Sequence, residues 1–172
     1  GLTDGRTRNP FSTFWPSPCA AQNAAFVKWR FNAWGNKYAD LARDNSAVNR
    51  ITALKKYKRF DPTIVLEGGS IEVNGEGVCI TTEQCLLNHS RNPGLSKKEI
   101  EDSLKNYLGI QKVIWLKQGI EGDDTDGHID DIARFIDSKR IVCQVEHKED
   151  DENFTILQKC YEDLASAKNE SG

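Results

Sequence analysis

Two consecutive stretches of the sequence predict the same order of elements, and this repetition constrains the fold more than any other feature. Residues 70–116 predict a strand, a second strand, a helix and a third strand, and residues 128–167 predict two strands and a helix. Short apolar runs indicate the strands, and apolar stripes at helical spacing indicate the helices. The two stretches share little sequence identity. Their order predicts an α+β fold built from two units of similar layout.

Local signals mark where some of these elements begin and end. Asn74 and Gly75 stand between the first two predicted strands, and this dipeptide is typical of a hairpin turn. Ser96 is followed three residues later by Glu99, which is the pattern of a capping box, so a helix is expected to begin there. Gly109 is expected to end that helix, because glycine readily adopts the left-handed conformation of a helix C-terminus.

Weaker signals predict the rest of the elements. A helix is expected from about residue 44 to residue 59, with Ile51, Leu54 and Tyr57 on one face. The remaining predicted elements are a strand at 26–32, a strand at 128–135, its hairpin partner at 140–145 and a helix at 152–167.

Composition excludes several classes of protein. The 172 residues are 38% hydrophobic, which suits one domain with a core, and the net charge of -3 argues against a protein that binds nucleic acid through a basic field. No apolar run approaches the roughly 20 residues that span a bilayer, so no membrane partner is expected. The five cysteines include no C-x-x-C pair, which argues against a zinc ribbon or a redox motif. A reduced, cytoplasmic setting is therefore expected.

The segment with the richest chemistry is the acidic loop at 122–131. Its His128 and Asp130 are two positions apart, so on a strand both side chains point to the same face. An imidazole beside a carboxylate is a workable acid–base pair, and the carboxylate can also hold a cationic substrate. A calcium loop is unsupported because Ala133 stands where an EF-hand requires an acid, and we assign no metal ligand. The alternative is an acidic surface turn with a satisfied histidine.

Two further positions are candidates for binding. Glu67 ends an apolar run and precedes Gly68 and Gly69, which allow a backbone or a ligand to approach closely. A carboxylate at the tip of a buried strand needs a partner, although an ordinary turn carboxylate is the alternative. Trp34 lies in the aromatic segment 29–38, which can wall a pocket for a flat cation or simply belong to the core.

Taken together, these segments resemble the agmatine deiminase family, the bacterial and plant branch related to the Porphyromonas-type peptidylarginine deiminases. The resemblance extends over about residues 25–163. It implies a pentein fold, an α/β propeller of five ββαβ units, and about two of these blades fit this chain. The segments that carry it are Trp-Arg-Phe-Asn-Ala-Trp-Gly-Asn-Lys-Tyr at 29–38, Leu-Glu-Gly-Gly-Ser-Ile at 66–71, Thr-Glu-Gln-Cys-Leu-Leu-Asn at 82–88 and Gly-Asp-Asp-Thr-Asp-Gly-His-Ile-Asp-Asp at 122–131.

The resemblance also implies an activity and roles for residues. It implies hydrolysis of a guanidinium group, in which agmatine and water give N-carbamoylputrescine and ammonia in putrescine biosynthesis. His128 is then the general acid and later the general base, and Asp130 holds two guanidinium nitrogens. Glu67 approaches the site, Asp124 meets the distal ammonium of agmatine, and Trp34 lines the pocket. The implied partner is a small guanidino substrate, and no cofactor is implied.

Two elements of the family pattern are absent from this sequence. Residues 1–24 are expected to be a divergent N-terminal stretch before a partial deiminase domain at 25–172, because Asn9 stands where the family's Arg-Asp-x-Gly-Pro segment has an aspartate. The Gly-Gly-Gly-Asn-x-His-Cys segment that carries the family's nucleophile is also absent, and Cys79 is interpreted as a buried structural thiol. We therefore expect the chain alone to be inactive, and expect low stability or self-association because an open propeller exposes apolar faces.

Two other interpretations remain open. The shared motifs also fit a hydrolase of the peptidylarginine deiminase type, since they do not fix the tail of the substrate. A non-catalytic pentein remnant that binds a guanidino ligand or a partner protein is the alternative from a different class.

Overall fold

The computed structural model describes residues 13–15, 25–54 and 57–167. The chain divides into two compact units, Gly1–Gly68 and Gly69–Gly172. Each unit has its own strands and helices, and the described elements together form an α+β arrangement as predicted.

The first unit contains a three-stranded sheet. Its strands are β1 (Thr13–Trp15), β2 (Ala25–Val27) and β3 (Lys58–Phe60), in that order across the sheet. Strand β2 is antiparallel to β1 and parallel to β3. One further bridge joins Arg30 to Val65 in the parallel sense. The segments at Arg30 and Val65 therefore run parallel to each other beyond the ends of β2 and β3.

Two predictions for this region have different outcomes. The strand expected at 26–32 ends at Val27, because the chain then enters the short helix α1 (Ala33–Asn36), whose residues have positive φ angles. Most of the predicted divergent stretch at 1–24 lies outside the described residues, and its separation from the rest of the chain stays a prediction.

The helical part of the first unit is a 3-10 helix at Ala39–Ser46 followed by helix α2 (Ala47–Leu54). This helix ends earlier than predicted. Val48 is its buried residue, whereas Ile51 and Leu54 are 43% and 83% exposed. Tyr57, predicted on the same face, lies beyond the end of α2. The stripe of Ile51 and Leu54 is not part of the core, since an apolar stripe becomes a core only where another element of the chain covers it.

The second unit begins with a three-stranded sheet of strands β4 (Ile71–Val73), β5 (Val78–Thr82) and β6 (Lys112–Leu116). Strand β5 lies in the middle, antiparallel to β4 and parallel to β6. The predicted hairpin turn is confirmed. The Asn74 side chain accepts hydrogen bonds from two backbone N–H groups of the turn, and Gly75 has a φ of 79°.

The short helix α3 (Glu83–Leu86) follows β5, and helix α4 (Lys97–Leu108), which leads to β6, begins with the predicted capping box. Ser96 Oγ accepts a hydrogen bond from the Glu99 N–H at 3.4 Å, and Glu99 Oε2 accepts one from the Ser96 N–H at 2.8 Å. Gly109 ends the helix in the left-handed conformation, with a φ of 71°. The predicted order of strand, strand, helix and strand is therefore confirmed for this half of the second unit.

The rest of the second unit is an antiparallel pair of strands and a long helix. The pair consists of β7 (Ala133–Phe135) and β8 (Ile141–Cys143), and the helix is α5 (Phe154–Ser166). Their apolar side chains share a core with the first sheet of the unit. The buried members of that core are Ile80, Leu116, Ile129, Ile132, Ala133, Leu157, Cys160 and Leu164.

The strand predicted at 128–135 is wrong in its first half. His128 has an extended backbone, but a 3-10 helix follows at Ile129–Asp131 and the strand begins only at Ala133. Gly127 precedes this segment with a φ of 96°, which turns the chain immediately before His128. Aspartate is also disfavoured in strands, so the acidic part of the segment forms a turn instead.

Within residues 13–15, 25–54 and 57–167, no helix combines the length and the apolar composition that crossing a bilayer requires.

Candidate active site

Two glycines close the neck of the loop at residues 119–127, which contains the first part of the acidic segment 122–131. A Cβ built on Gly119 would collide with the Cα of Gly127, so the two backbones are in direct contact. Thr82 Oγ1, at the end of β5, donates a hydrogen bond to the Gly127 carbonyl at 2.5 Å. Gln84 Oε1, in the short helix α3 (Glu83–Leu86), accepts one from the Gly119 N–H at 2.8 Å. The segment after β5 therefore holds both sides of the neck.

Inside the loop, the Asp123 carboxylate organises the backbone that leads to His128. Its Oδ1 accepts hydrogen bonds from the Thr125 N–H at 2.7 Å and from the Thr125 hydroxyl at 2.5 Å. Its Oδ2 accepts bonds from the N–H groups of Gly127 at 2.7 Å and His128 at 3.0 Å. Burial raises the pKa of Asp123, but these bonds outweigh burial and hold the pKa below its usual value.

A buried arginine supports the loop from the other side. Arg91 Nη2 donates a hydrogen bond to the Thr125 carbonyl, and Nη1 lies 3.7 Å from Asp126 Oδ2. The next residue along the chain is fixed as well, since Asn92 Nδ2 donates to the Leu86 carbonyl at 2.9 Å. The loop is therefore anchored to α3 and to the segment that follows it.

His128 and Asp130 are neighbours, by a route other than the predicted strand. His128 Nδ1 lies 3.7 Å from Asp130 Oδ1, and the short 3-10 helix brings the two side chains together. His128 is buried, whereas the Asp130 side chain is 37% exposed. The site thus pairs an enclosed imidazole with a carboxylate that solvent can reach.

Gly69 is the residue whose backbone approaches this pair. A Cβ built there would collide with His128 Nδ1 and would lie 2.7 and 2.9 Å from the two Asp130 carboxylate oxygens. The next residue is tied to β5, because Thr81 Oγ1 donates a hydrogen bond to the Ser70 carbonyl at 2.7 Å. The absence of a side chain at position 69 therefore leaves room for the His128 and Asp130 side chains.

Cys85 also lies near the histidine, and the sequence patterns did not single it out. Its Sγ is within 4.8 Å of a ring nitrogen of His128. Cys85 is buried in α3, and its N–H donates a hydrogen bond to Thr82 Oγ1 at 3.1 Å. No spacing in the sequence links it to His128, because only the tertiary fold places α3 beside the acidic loop.

Three other described thiols have raised pKa values. Burial raises the pKa of Cys160 to about 11, with help from nearby Asp163, and burial also raises the pKa of Cys143. Cys79 is fully buried, and burial raises its pKa further still. A raised pKa leaves little thiolate at neutral pH, which supports the interpretation of Cys79 as a structural thiol.

The carboxylates around the pair give this face a negative potential. Burial raises the pKa of Asp131, and the nearby carboxylates of Asp123 and Asp130 raise it as well, against the opposing effect of His128. Asp124 is exposed in the same loop. Such a concentration of negative charge favours a cationic ligand.

Glu67 belongs to the first unit and is almost completely buried. It follows a buried apolar segment whose backbone is held against Arg30: the Leu66 N–H donates to the Arg30 carbonyl at 3.1 Å, and the Arg30 N–H donates to the Ile64 carbonyl at 3.2 Å. The carboxylate thus lies at the end of a fixed segment, as the sequence indicates.

Trp34 also belongs to the first unit, and its environment is aromatic. Its ring makes edge-to-face contacts with Phe31 at 5.1 Å and with Tyr38 at 5.7 Å between centroids. It is half-buried, and its φ of 54° is unusual for a bulky side chain. The local backbone therefore fixes the direction of the indole ring.

The arrangement in the second unit has a definite chemical capability. A carboxylate can accept two parallel N–H bonds from one planar cation, which is how carboxylates bind guanidinium groups. An adjacent imidazole can give or take a proton within hydrogen-bonding reach of a ligand held in this way. Asp130 and His128 are therefore suited to bind a planar cation and to move a proton beside it.

Comparison with known proteins identifies the family to which this fold and this site belong. The family model described as Porphyromonas-type peptidyl-arginine deiminase matches residues 10–172. The chain belongs to this family, which confirms the resemblance found in the sequence.

Individual relatives narrow the comparison. The agmatine deiminase of Medicago truncatula is 41% identical over 158 residues, which cover 89% of this chain and 42% of that protein. The agmatine deiminase of Pseudomonas aeruginosa strain LESB58 is 39% identical over 151 residues, which cover 85% of this chain and 41% of that protein.

A solved structure of an agmatine deiminase is also similar to this chain. It is a Cys-to-Ser variant of the agmatine deiminase of C. jejuni with substrate bound, and it matches with a TM-score of 0.79 at 38% identity over 92% of this chain and 47% of that chain. The α+β architecture is thus consistent with the pentein fold of these proteins. This chain spans less than half the length of each of the three relatives.

Proposed function

We propose that this chain forms part of a hydrolase that acts on guanidinium groups, with agmatine as its substrate. The overall reaction is agmatine plus water to N-carbamoylputrescine plus ammonia. The observation that supports it best is the pairing of His128 with Asp130 beside the side-chain-free Gly69, in a chain whose relatives are agmatine deiminases.

The two paired residues have distinct roles in this proposal. The Asp130 carboxylate accepts hydrogen bonds from two guanidinium nitrogens and so orients the guanidinium carbon. His128 gives a proton to the departing ammonia and afterwards takes a proton from the attacking water. Because the imidazole is enclosed and the carboxylate is accessible, the cation enters beside Asp130 and meets His128 deeper in the site.

The nucleophile is a cysteine supplied from outside this chain, in the Gly-Gly-Gly-Asn-x-His-Cys context that the resemblance implies. Its thiolate attacks the guanidinium carbon, the bond from that carbon to a terminal nitrogen breaks, and ammonia leaves with a proton from His128. Water then attacks the thiouronium carbon, the carbon–sulfur bond breaks, and the thiolate is restored. The raised pKa values of Cys79, Cys143 and Cys160 argue against these three thiols as the nucleophile.

Three further residues complete the proposal on the resemblance alone. Glu67 and Trp34 are substrate-binding residues, and Asp124 binds the distal ammonium of agmatine. The pathway is putrescine biosynthesis in the cytoplasm. About two of the five pentein blades lie in this chain, and the enzyme forms a homo-oligomer.

The first test compares the chain alone with a chimera. The chimera is the Pseudomonas aeruginosa agmatine deiminase in which this chain replaces the segment that it matches, and the measurement is ammonia release from agmatine. We expect saturable activity from the chimera and none from the chain alone, because the nucleophile is absent. Robust activity of the chain alone contradicts the proposed source of the nucleophile.

Variants of the chimera then test the site. His128→Ala and Asp130→Asn are each expected to lower kcat/KM by roughly a thousandfold, because proton transfer and cation orientation are lost. The matched controls are His147→Ala, at an exposed histidine, and Asp102→Asn, on the exposed face of α4. An active chimera that keeps its activity after both site substitutions rules out the proposed mechanism.

The alternatives give different results in the same assay. A peptidylarginine deiminase releases ammonia from an arginine-containing peptide in preference to agmatine, and the family model's description favours this second candidate. A non-catalytic remnant binds agmatine without release of ammonia, even in the chimera. Relative rates with the two substrates therefore distinguish the three functions.

A further inference from the structure

We infer that Asp123 is a positioning residue that holds His128 in its working orientation. This role is additional to the proposed acid–base function of His128 and rests on it. The Asp123 carboxylate accepts hydrogen bonds from the N–H groups of Gly127 and His128, so it acts through the backbone that carries the histidine.

The first argument is the number and direction of the bonds to this one carboxylate. It accepts four hydrogen bonds, two at each oxygen, from Thr125, Gly127 and His128. A carboxylate accepts bonds at both oxygens, so its capacity is used mainly on the loop itself. The N–H of His128 is among the donors, which fixes the peptide plane immediately before the histidine side chain.

The second argument concerns Gly127, the flexible residue of the loop directly before His128. The neck is held at Gly119 and Gly127, and Arg91 holds the Thr125 carbonyl. Gly127 has a φ of 96°, a conformation that glycine can leave easily when no bond restrains it. Asp123 restrains the N–H on both sides of that flexible residue, so its carboxylate sets the direction in which the chain enters His128.

The chain contains a matched control for this experiment. Asp137, in the turn between β7 and β8, also accepts bonds at one carboxylate oxygen from two backbone N–H groups, those of Lys139 at 2.9 Å and Arg140 at 2.8 Å. Hydrogen bonds also lower the pKa of Asp137, as they do for Asp123. Replacing Asp137 therefore removes the same kind of turn at a different place in the second unit.

The first experiment measures amide hydrogen exchange by NMR in the chain itself. Asp123→Ala is expected to speed exchange at Gly127 and His128 by about tenfold or more, since charged acceptors protect N–H groups strongly. It is also expected to replace the single set of His128 ring signals by several. Asp137→Ala is expected to speed exchange in its own turn and to leave the His128 signals unchanged. Unchanged exchange and ring signals in Asp123→Ala overturn the inference.

A second variant covers the case in which Asp123→Ala fails to fold. Asp123→Leu keeps the size and branching of the side chain but has no atom that accepts a hydrogen bond. Increased exchange at Gly127 or His128 supports the inference, and wild-type exchange at both contradicts it.

The kinetic experiment uses the chimera and separates a positioning role from a loss of fold. We expect Asp123→Ala to lower kcat by about 10- to 100-fold and to change KM by less than about threefold, because misplacement of the acid–base group slows the chemical step more than binding. Asp137→Ala is expected to leave both constants unchanged. An equal loss in both variants, or a wild-type kcat in Asp123→Ala, overturns the positioning role.

Failure of this inference is distinguishable from failure of the proposed function. An inactive chimera rejects the function while the exchange data on the chain still decide whether Asp123 orders His128. An active chimera with an unaffected Asp123→Ala variant rejects the inference alone.

Discussion

Because Gly69 has no side chain, its backbone can lie close to the His128–Asp130 pair. The two side chains lie where a Cβ would be, so the pair and the glycine occupy complementary space. Gly75 differs, because a Cβ there would meet nothing within 4 Å although its φ of 79° strains any other residue. Gly69 is therefore required for space, whereas Gly75 is required for its backbone conformation.

Gly69→Ala should reduce activity far more than stability. The added methyl group displaces the ends of two side chains, and a misplacement of about 1 Å can cost roughly a hundredfold in rate. Gly75→Ala should show the reverse, with a loss of about 1 kcal/mol of stability from strain and an unchanged rate. Ammonia release by the chimera and urea unfolding of the chain measure the two effects. Equal rates for the two variants would show that Gly69 is not needed for space.

At the scale of elements, helix α4 is defined at both ends by local bonds. The reciprocal bonds between Ser96 and Glu99 satisfy backbone donors at its first turn, and those bonds hold the pKa of Glu99 below its usual value. The helix belongs to the connection between β5 and β6, which are neighbouring parallel strands.

Ser96→Ala should destabilise the chain by about 1 kcal/mol, because one side of the capping box is lost. Ser103→Ala, in the interior of the same helix, is the control and should be neutral or slightly stabilising, since alanine has the higher helix propensity. Urea denaturation of both variants provides the measurement. A Ser96→Ala midpoint equal to that of Ser103→Ala would contradict the role of the cap.

Local bonds of this kind explain which elements the sequence could predict. The hairpin at Asn74 and the helix after Ser96 depend on residues within a few positions of each other, so their patterns are visible in the sequence. The turn at Ile129–Asp131 was mistaken for a strand because alternation alone does not reveal where a glycine reverses the chain. The proximity of His128 and Asp130 was still predicted, since a spacing of two also suits that turn.

The rest of the site depends on tertiary structure. The approach of Cys85 to His128 and the bond from Arg91 to the Thr125 carbonyl join segments that no spacing rule connects. The four bonds to Asp123 all come from residues 125–128. Residues 123–128 contain three aspartates, and the sequence does not show which of them accepts these bonds. The resemblance drew attention to Asp124, which the structure places at the exposed side of the loop.

At the scale of the whole chain, the surface around β8 exposes several large apolar side chains. Ile136, Val142 and Val145 are 61%, 53% and 48% exposed, and among the described residues β8 pairs with β7 alone. An apolar strand with an open edge favours association with another chain. The expectation of self-association thus has a specific location.

Val142→Lys should shift the chain toward the monomer, because a charge on an edge strand opposes pairing. Asn106→Lys adds the same charge on the exposed side of α4 and should leave association unchanged. Sedimentation velocity over a range of concentrations measures the distribution. A wild-type chain that remains monomeric at high concentration and melts cooperatively would contradict this prediction.

The contact between Gly119 and Gly127 has a consequence for how this site can change. Gly119 and Gly127 close the neck, and between them the exposed residues Glu121 and Gly122 form an outer rim, where a Cβ on Gly122 would meet nothing within 4 Å. Lengthening or exchanging that outer rim should leave the histidine where it is. Evolution, or an engineer, can therefore vary the surface of this loop without rebuilding the His128–Asp130 pair.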